Sequence, residues 1–163
     1  MPSKLRLLGI GVATAVFAMD QISKLLVLHD SSIPEQPLEI TYFFNLVLVW
    51  NRGVSFGLFA HNAEAARWML VAVGLGLSAM VAVWLWRSAA RLTSVATGLV
   101  LGGALGNILD RLLYGAVVDF LDFHLDAWHW PAFNIADSAI CVGVCLLIIE
   151  SFLPKKNPPD HVS

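Results

Sequence analysis

Charge is scarce in this sequence: Asp, Glu, Lys and Arg together make up 13% of its 163 residues. An ordinary soluble domain carries about 25%. That is too little to clothe a water-facing surface, and with a mean hydropathy of +0.73 it makes the bilayer the expected solvent. No basic block occurs and the formal net charge is −2. No nucleic-acid partner is expected, because phosphate backbones are held by clustered Lys and Arg. Metal-binding spacing is missing too. There is no H-E-x-x-H, and His124 and His129, though close to Asp122 and Asp126, read as solvated loop histidines. A serine nucleophile lacks its G-x-S-x-G turn. The two cysteines, Cys141 and Cys145, stand four residues apart in an apolar run. They share a helical face, have no further ligand nearby, and are expected as small residues buried in a helix interface. No metal or other cofactor is expected, and no repeat of fixed period is visible.

Apolar runs are what the sequence has in abundance. A membrane-spanning helix needs about 20 mostly apolar residues, and four segments qualify, at about 5–28, 65–86, 94–113 and 135–153. Lys4 and Arg6 ahead of the first run resemble the start of a cleavable leader. The apolar character resumes at Leu25-Leu26-Val27-Leu28, however, so a retained span is expected. The expected fold class is an all-α membrane protein, one membrane-embedded domain over residues 1–163. Lys4, Arg6, Arg87, Arg91, Lys155 and Lys156 fall on one side if the spans alternate, which places both termini in the cytoplasm. The outer side then receives about 29–64 and 114–134. Residues 42–50 are rich in aromatic and β-branched side chains and read as a strand. Gly53 and Gly57 punctuate a second apolar stretch at 54–59, so a small β-sheet is expected in these outer segments. Trp128, Trp130 and Phe133 suit an interfacial aromatic belt. The tail, 157–163, reads as disordered.

An ionisable group inside a span costs at least a few kcal/mol, so each one needs a reason. Asp20 and Lys24 are one turn apart in the first span. Asn107, Asp110 and Arg111 lie near the end of the third, and Asn134 and Asp137 open the fourth. With alternating spans, all fall at about one depth, near the outer boundary. Glu150 lies near the opposite end, where it can snorkel, and no role is assigned to it. Gly98, Gly102, Gly103 and Gly106 in the third span allow close helix approach. Asp119 follows the third span, so it and Asp137 project from outer ends of adjacent spans. Two close carboxylates sharing a proton can hydrolyse a peptide. One takes a proton from the attacking water while the other donates to the carbonyl oxygen. Intramembrane aspartates equally serve proton relays, so a proton-coupled transporter using Asp20, Lys24 and Asp137 stands beside the peptidase. That reading lacks the internally related halves common in transporters. A non-catalytic scaffold would leave both outer aspartates without purpose.

Five motifs occur in order along nearly the whole chain: Met19-Asp20-Gln21-Ile22-Ser23-Lys24, Asn51-Arg52-Gly53, the run Gly102-Gly103-Ala104-Leu105-Gly106-Asn107-Ile108-Leu109-Asp110-Arg111, Val117-Val118-Asp119-Phe120, and Phe133-Asn134-Ile135-Ala136-Asp137-Ser138. In these the sequence resembles the lipoprotein signal peptidase family, also called signal peptidase II. The resemblance implies an aspartic endopeptidase of the bacterial inner membrane with its site at the periplasmic face. Its substrate would be a lipid-anchored diacylglyceryl-prolipoprotein, cut before the lipid-bearing cysteine. Asp119 and Asp137 would be the catalytic pair. Asn51, Asn107, Arg111 and Asn134 would bind substrate or shape the pocket, and Asp20, Lys24 and Asp110 would brace the site. Membrane lipid is the surrounding partner; the sequence leaves the oligomeric state open.

Overall fold

Glycine decides which helix lies at the centre. The computed structural model describes residues 2–30, 33, 36–53 and 63–153. Among them are four helices long and apolar enough to cross a membrane: α1 (Pro2–His29), α2 (Ala63–Arg87), α3 (Arg91–Tyr114) and α4 (Ile135–Phe152). A Cβ placed on Gly98 of α3 would stand 2.5 Å from the Gly9 carbonyl oxygen of α1, and one on Gly102 would stand 2.5 Å from that of Ala13. Gly103 is pressed in the same way onto the Ala136 carbonyl of α4, and Gly106 onto the Asp20 carboxylate. From α4, Gly143 returns the contact, where a Cβ would lie 2.7 Å from the Ala96 carbonyl oxygen. Helices lacking a side chain at the crossing approach backbone to backbone. Thus α3 runs between α1 and α4, while α2 packs on it through Gly74 against Ile108. Other helix faces carry exposed apolar side chains such as Val73, Met80, Ile148 and Phe152, which suits lipid contact.

At one end of the bundle, the Arg6 Nε donates to the Trp86 carbonyl at 2.9 Å, tying the start of α1 to the end of α2. The Thr93 hydroxyl donates to Glu150 Oε1 at 2.6 Å, tying the start of α3 to the end of α4. Glu150, read as merely snorkelling, therefore has a fixed partner. The cysteine expectation fails. Cys141 and Cys145 are exposed, and Gly143, about 200° round the helix from each at 100° per residue, takes the interface instead. Four-residue spacing placed the two sulfurs on one face, but it was the face opposite α3.

At the other end lies an antiparallel sheet, β1 (Leu38–Thr41), β2 (Phe44–Asn51), β3 (Val117–Leu125) and β4 (Trp128–His129), in the order β1-β2-β3-β4. The strand expected at 42–50 is β2, which starts two residues later because Tyr42 and Phe43 form the turn from β1. The stretch expected at 54–59 and the tail at 157–163 lie outside the described residues. Within the sheet, Val49 pairs with Asp119 and Asn51 with Val117, past a bulge between Leu46 and Val49. Val27, Ile33 and Phe120 form a small core beneath it with Leu46, Leu48, Leu121 and Ile135.

Candidate active site

The turn from α3 into β3 positions the first aspartate. Gly115, at φ 76°, adopts the left-handed conformation that suits glycine and ends α3, its N–H donating to the Arg111 carbonyl. One turn back, Asp110 Oδ2 accepts from the Val118 N–H at 3.1 Å, which pins the start of β3. Asp119, the next residue, is 1% exposed. Its Oδ2 accepts from Asn51 Nδ2 at 2.8 Å and its Oδ1 from Asn134 Nδ2 at 2.7 Å.

The second aspartate is placed by a helix cap. Asn134 starts α4 with a capping box: its Oδ1 accepts from the Asp137 N–H at 2.9 Å, and Asp137 Oδ2 accepts from the Asn134 N–H at 3.2 Å. Such reciprocal bonds satisfy two N–H groups that a helix start leaves open. Asp137 Oδ1 accepts from Asn107 Nδ2 at 2.7 Å. Asn134 therefore touches both aspartates, holding one through its amide nitrogen and the other through its amide oxygen and backbone.

Burial pushes the Asp119 carboxyl up to about 6; the Asp137 charge adds to that, while donation from Asn51 and Asn134 and the more distant Lys24 charge oppose it. Asp137 is only half buried and has donors on both oxygens. Arg111 donates to the Asn107 carbonyl at 3.1 Å, and its charge acts on Asp137, Asp110 and Asp119. It makes no ion pair among the described residues, which leaves guanidinium donors for a further anion or carbonyl.

Behind this pair is a buried ionic cluster. Lys24, 2% exposed, lies 2.8 Å from Asp20 Oδ2 and 2.8 Å from Asp110 Oδ2, and 3.0 Å from Asn107 Oδ1. Asp20 also accepts from the Ala136 N–H at 3.0 Å, joining α1 to the first turn of α4. All nine residues singled out in the sequence thus belong to one connected constellation. Gln21 was quoted within a motif but given no part. Its Nε2 lies 3.0 Å from Asp110 Oδ1 and 3.1 Å from Asp20 Oδ2. The signal was its place beside Asp20, as an amide in a span like Asn107 and Asn134.

The histidines read as solvated loop residues stand on paired strands, where His129 stays half exposed. His129 Nδ1 lies 2.9 Å from Oδ2 of the buried Asp122, and His124 stacks on His129 at 5.0 Å. Strand pairing of His124 with His129 brings these groups together, which no linear spacing revealed. Among the described residues, no three His, Cys, Asp or Glu side chains gather as a metal site would need.

Known proteins resemble this chain in sequence and in backbone. A family model described as signal peptidase (SPase) II matches residues 12–153. The lipoprotein signal peptidase of Methylorubrum extorquens (strain PA1) is 45% identical over 153 residues, covering 93% of this chain and 90% of the relative. That of Burkholderia cenocepacia (strain HI2424) is 49% identical over 142 residues, covering 86% and 85%. Two solved structures described as bacterial membrane enzymes superpose with TM-scores of 0.75 and 0.78, at 28% and 29% identity. The first match covers 92% of this chain and 93% of that one, the second 91% and 94%. Likeness of this extent, in sequence and in backbone, places the chain in the lipoprotein signal peptidase (signal peptidase II) family, as a multi-pass membrane protease that removes signal peptides from prolipoproteins.

Proposed function

We propose that this protein is an aspartic endopeptidase that cuts diacylglyceryl-modified prolipoproteins just before the lipid-bearing cysteine. The observation that carries the reading is the shared grip of Asn134 on Asp119 and Asp137. It brings two carboxylates from β3 and α4 into one hydrogen-bonded unit. Asp119, whose proton is held by burial, serves as the acid. Asp137, bonded on both oxygens by N–H donors, serves as the base.

In this mechanism water is held between the two carboxyl groups. Asp137 takes a proton from it as its oxygen attacks the scissile carbonyl carbon, and Asp119 gives its proton to the carbonyl oxygen. Collapse of the tetrahedral species returns a proton to the departing amine and frees the cysteine-bearing product. Arg111 and Asn51 are placed to bind the substrate backbone, while Asp20, Lys24 and Asp110 brace the site from behind. Both termini are cytoplasmic, and the site and sheet lie at the periplasmic face of the inner membrane. The acyl chains stay in lipid while the peptide meets the carboxylates near headgroup level.

The test is cleavage of a purified diacylglyceryl-prolipoprotein in lipid, with chelator present. Wild type should cut it, and Asp119→Asn and Asp137→Asn should each lose about 1,000-fold or more while keeping the fold, as befits an acid–base pair. Persistent cleavage by either folded variant would remove that residue from the mechanism.

A further inference from the structure

Lys24 makes one contact that ion pairing with Asp20 and Asp110 does not explain. An ammonium has three N–H donors and no acceptor. Here the third points at Asn107 Oδ1, 3.0 Å away. The two ends of an asparagine amide have nearly the same shape, so neighbours determine which way it faces. A donor-only neighbour compels the oxygen to face Lys24, which turns Nδ2 toward Asp137 Oδ1 at 2.7 Å. Asn134 Nδ2 also points at Asn107 Oδ1, but at 3.3 Å, and it serves Asp119 at 2.7 Å.

We propose that Lys24 is a positioning residue for the cleavage reaction, acting through the Asn107 amide on Asp137. The inference rests on the aspartic mechanism above and adds the route by which a residue on α1 governs a carboxylate on α4. Lys24 never touches the peptide. It holds the amide in the orientation that donates to Asp137 and, by polarising it, strengthens that bond. The charged groups facing this route are Asp20 on α1, Asp110 and Arg111 on α3, and Asp119 on β3.

Deleting the ammonium alone would leave Asp20 and Asp110 as unscreened neighbours, so the test uses Asp20→Asn with Lys24→Met, which keeps the cluster's charge. Asp110→Asn with Lys24→Met is the second such variant. Each is assayed on diacylglyceryl-prolipoprotein beside wild type, Asp119→Asn and Asn107→Ala, with thermal unfolding in detergent as the check on folding. In the folded variant kcat should fall about 100-fold, the scale of a misplaced catalytic group, with KM unchanged. Adding Asn107→Ala should then cost nothing further, since both changes cut the same route. A rise in KM with kcat unchanged, or losses that multiply, would overturn the proposal. So would loss of folding in both variants, which would make Lys24 a tie between helices only. Failure of wild type to cleave, or retained cleavage by Asp119→Asn, would instead strike the aspartic mechanism itself.

Discussion

Asn134 carries two duties that can be separated by substitution. Asn134→Ala removes the helix cap and the donor to Asp119 together, and should cost about 1 kcal/mol of stability from the cap along with a fall in kcat. Asn134→Ser keeps a capping oxygen but not the amide, so unfolding temperature should stay nearer wild type while kcat falls as far as in the alanine variant. Calorimetry and cleavage rates on the same preparations distinguish the two duties. For Asp119, the raised ionisation, to about 6, has two consequences. As an acid it loses its proton above that pH, so kcat/KM should decline on an alkaline limb near pH 6. As a buried group it binds protons more readily folded than unfolded. Its contribution to stability is full below the ordinary value of 3.8 and is lost as pH rises through about 6. Asp119→Asn should flatten that part of the stability profile, measured by denaturation from pH 4 to 7. Most of these residues were legible in the sequence because a charge within an apolar run is conspicuous. Their bonds were not: which oxygen of Asn107 or Asn134 faces which partner is decided by three helices and a strand meeting.

The α3 glycines turn composition into architecture. Gly102→Val would drive a branched side chain into the Ala13 carbonyl, 2.5 Å from an added Cβ. Backbone cannot yield as a rotamer can, so about 3 kcal/mol or more of destabilisation is expected, at the upper end for overpacked cores. Gly76, with nothing near its Cβ position, provides the control, and Gly76→Ala should leave the unfolding temperature in detergent within a degree or two or raise it. The spans were readable because length and hydropathy suffice for them. Strands were harder. β2 announced itself by its aromatic and branched residues, but β3 carries Asp119, Asp122 and His124 among its apolar positions and read as a motif inside a loop. The cysteines show the limit of periodicity: a spacing of four says that two residues share a face, and the neighbours decide which.

The proposed topology puts the Arg6–Trp86 and Thr93–Glu150 ties in the cytoplasm and the sheet outside. In intact cells, after Cys141 and Cys145 are replaced by alanine, a single cysteine at the exposed turn residue Tyr42 should react with a membrane-impermeant maleimide. One at Arg87 should react only after the membrane is opened; the reverse pattern would invert the orientation. The gathering of cations at one set of span ends is the basis of this proposed topology, whereas the joining of α1, α3, α4 and the sheet into one constellation required the folded chain. That joining has a geometric consequence. Because α3 meets both flanking helices with carbonyls seated against glycines, it cannot slide along them or turn without collision. Asp137, bonded to Asn107 of α3, and Asp119, which follows the Val118 N–H pinned by Asp110, therefore stand at a constant height above the other end of the bundle. Under the proposed mechanism such a frame acts as a depth gauge, its carboxylates meeting only the peptide bonds that a membrane-anchored substrate presents at that height.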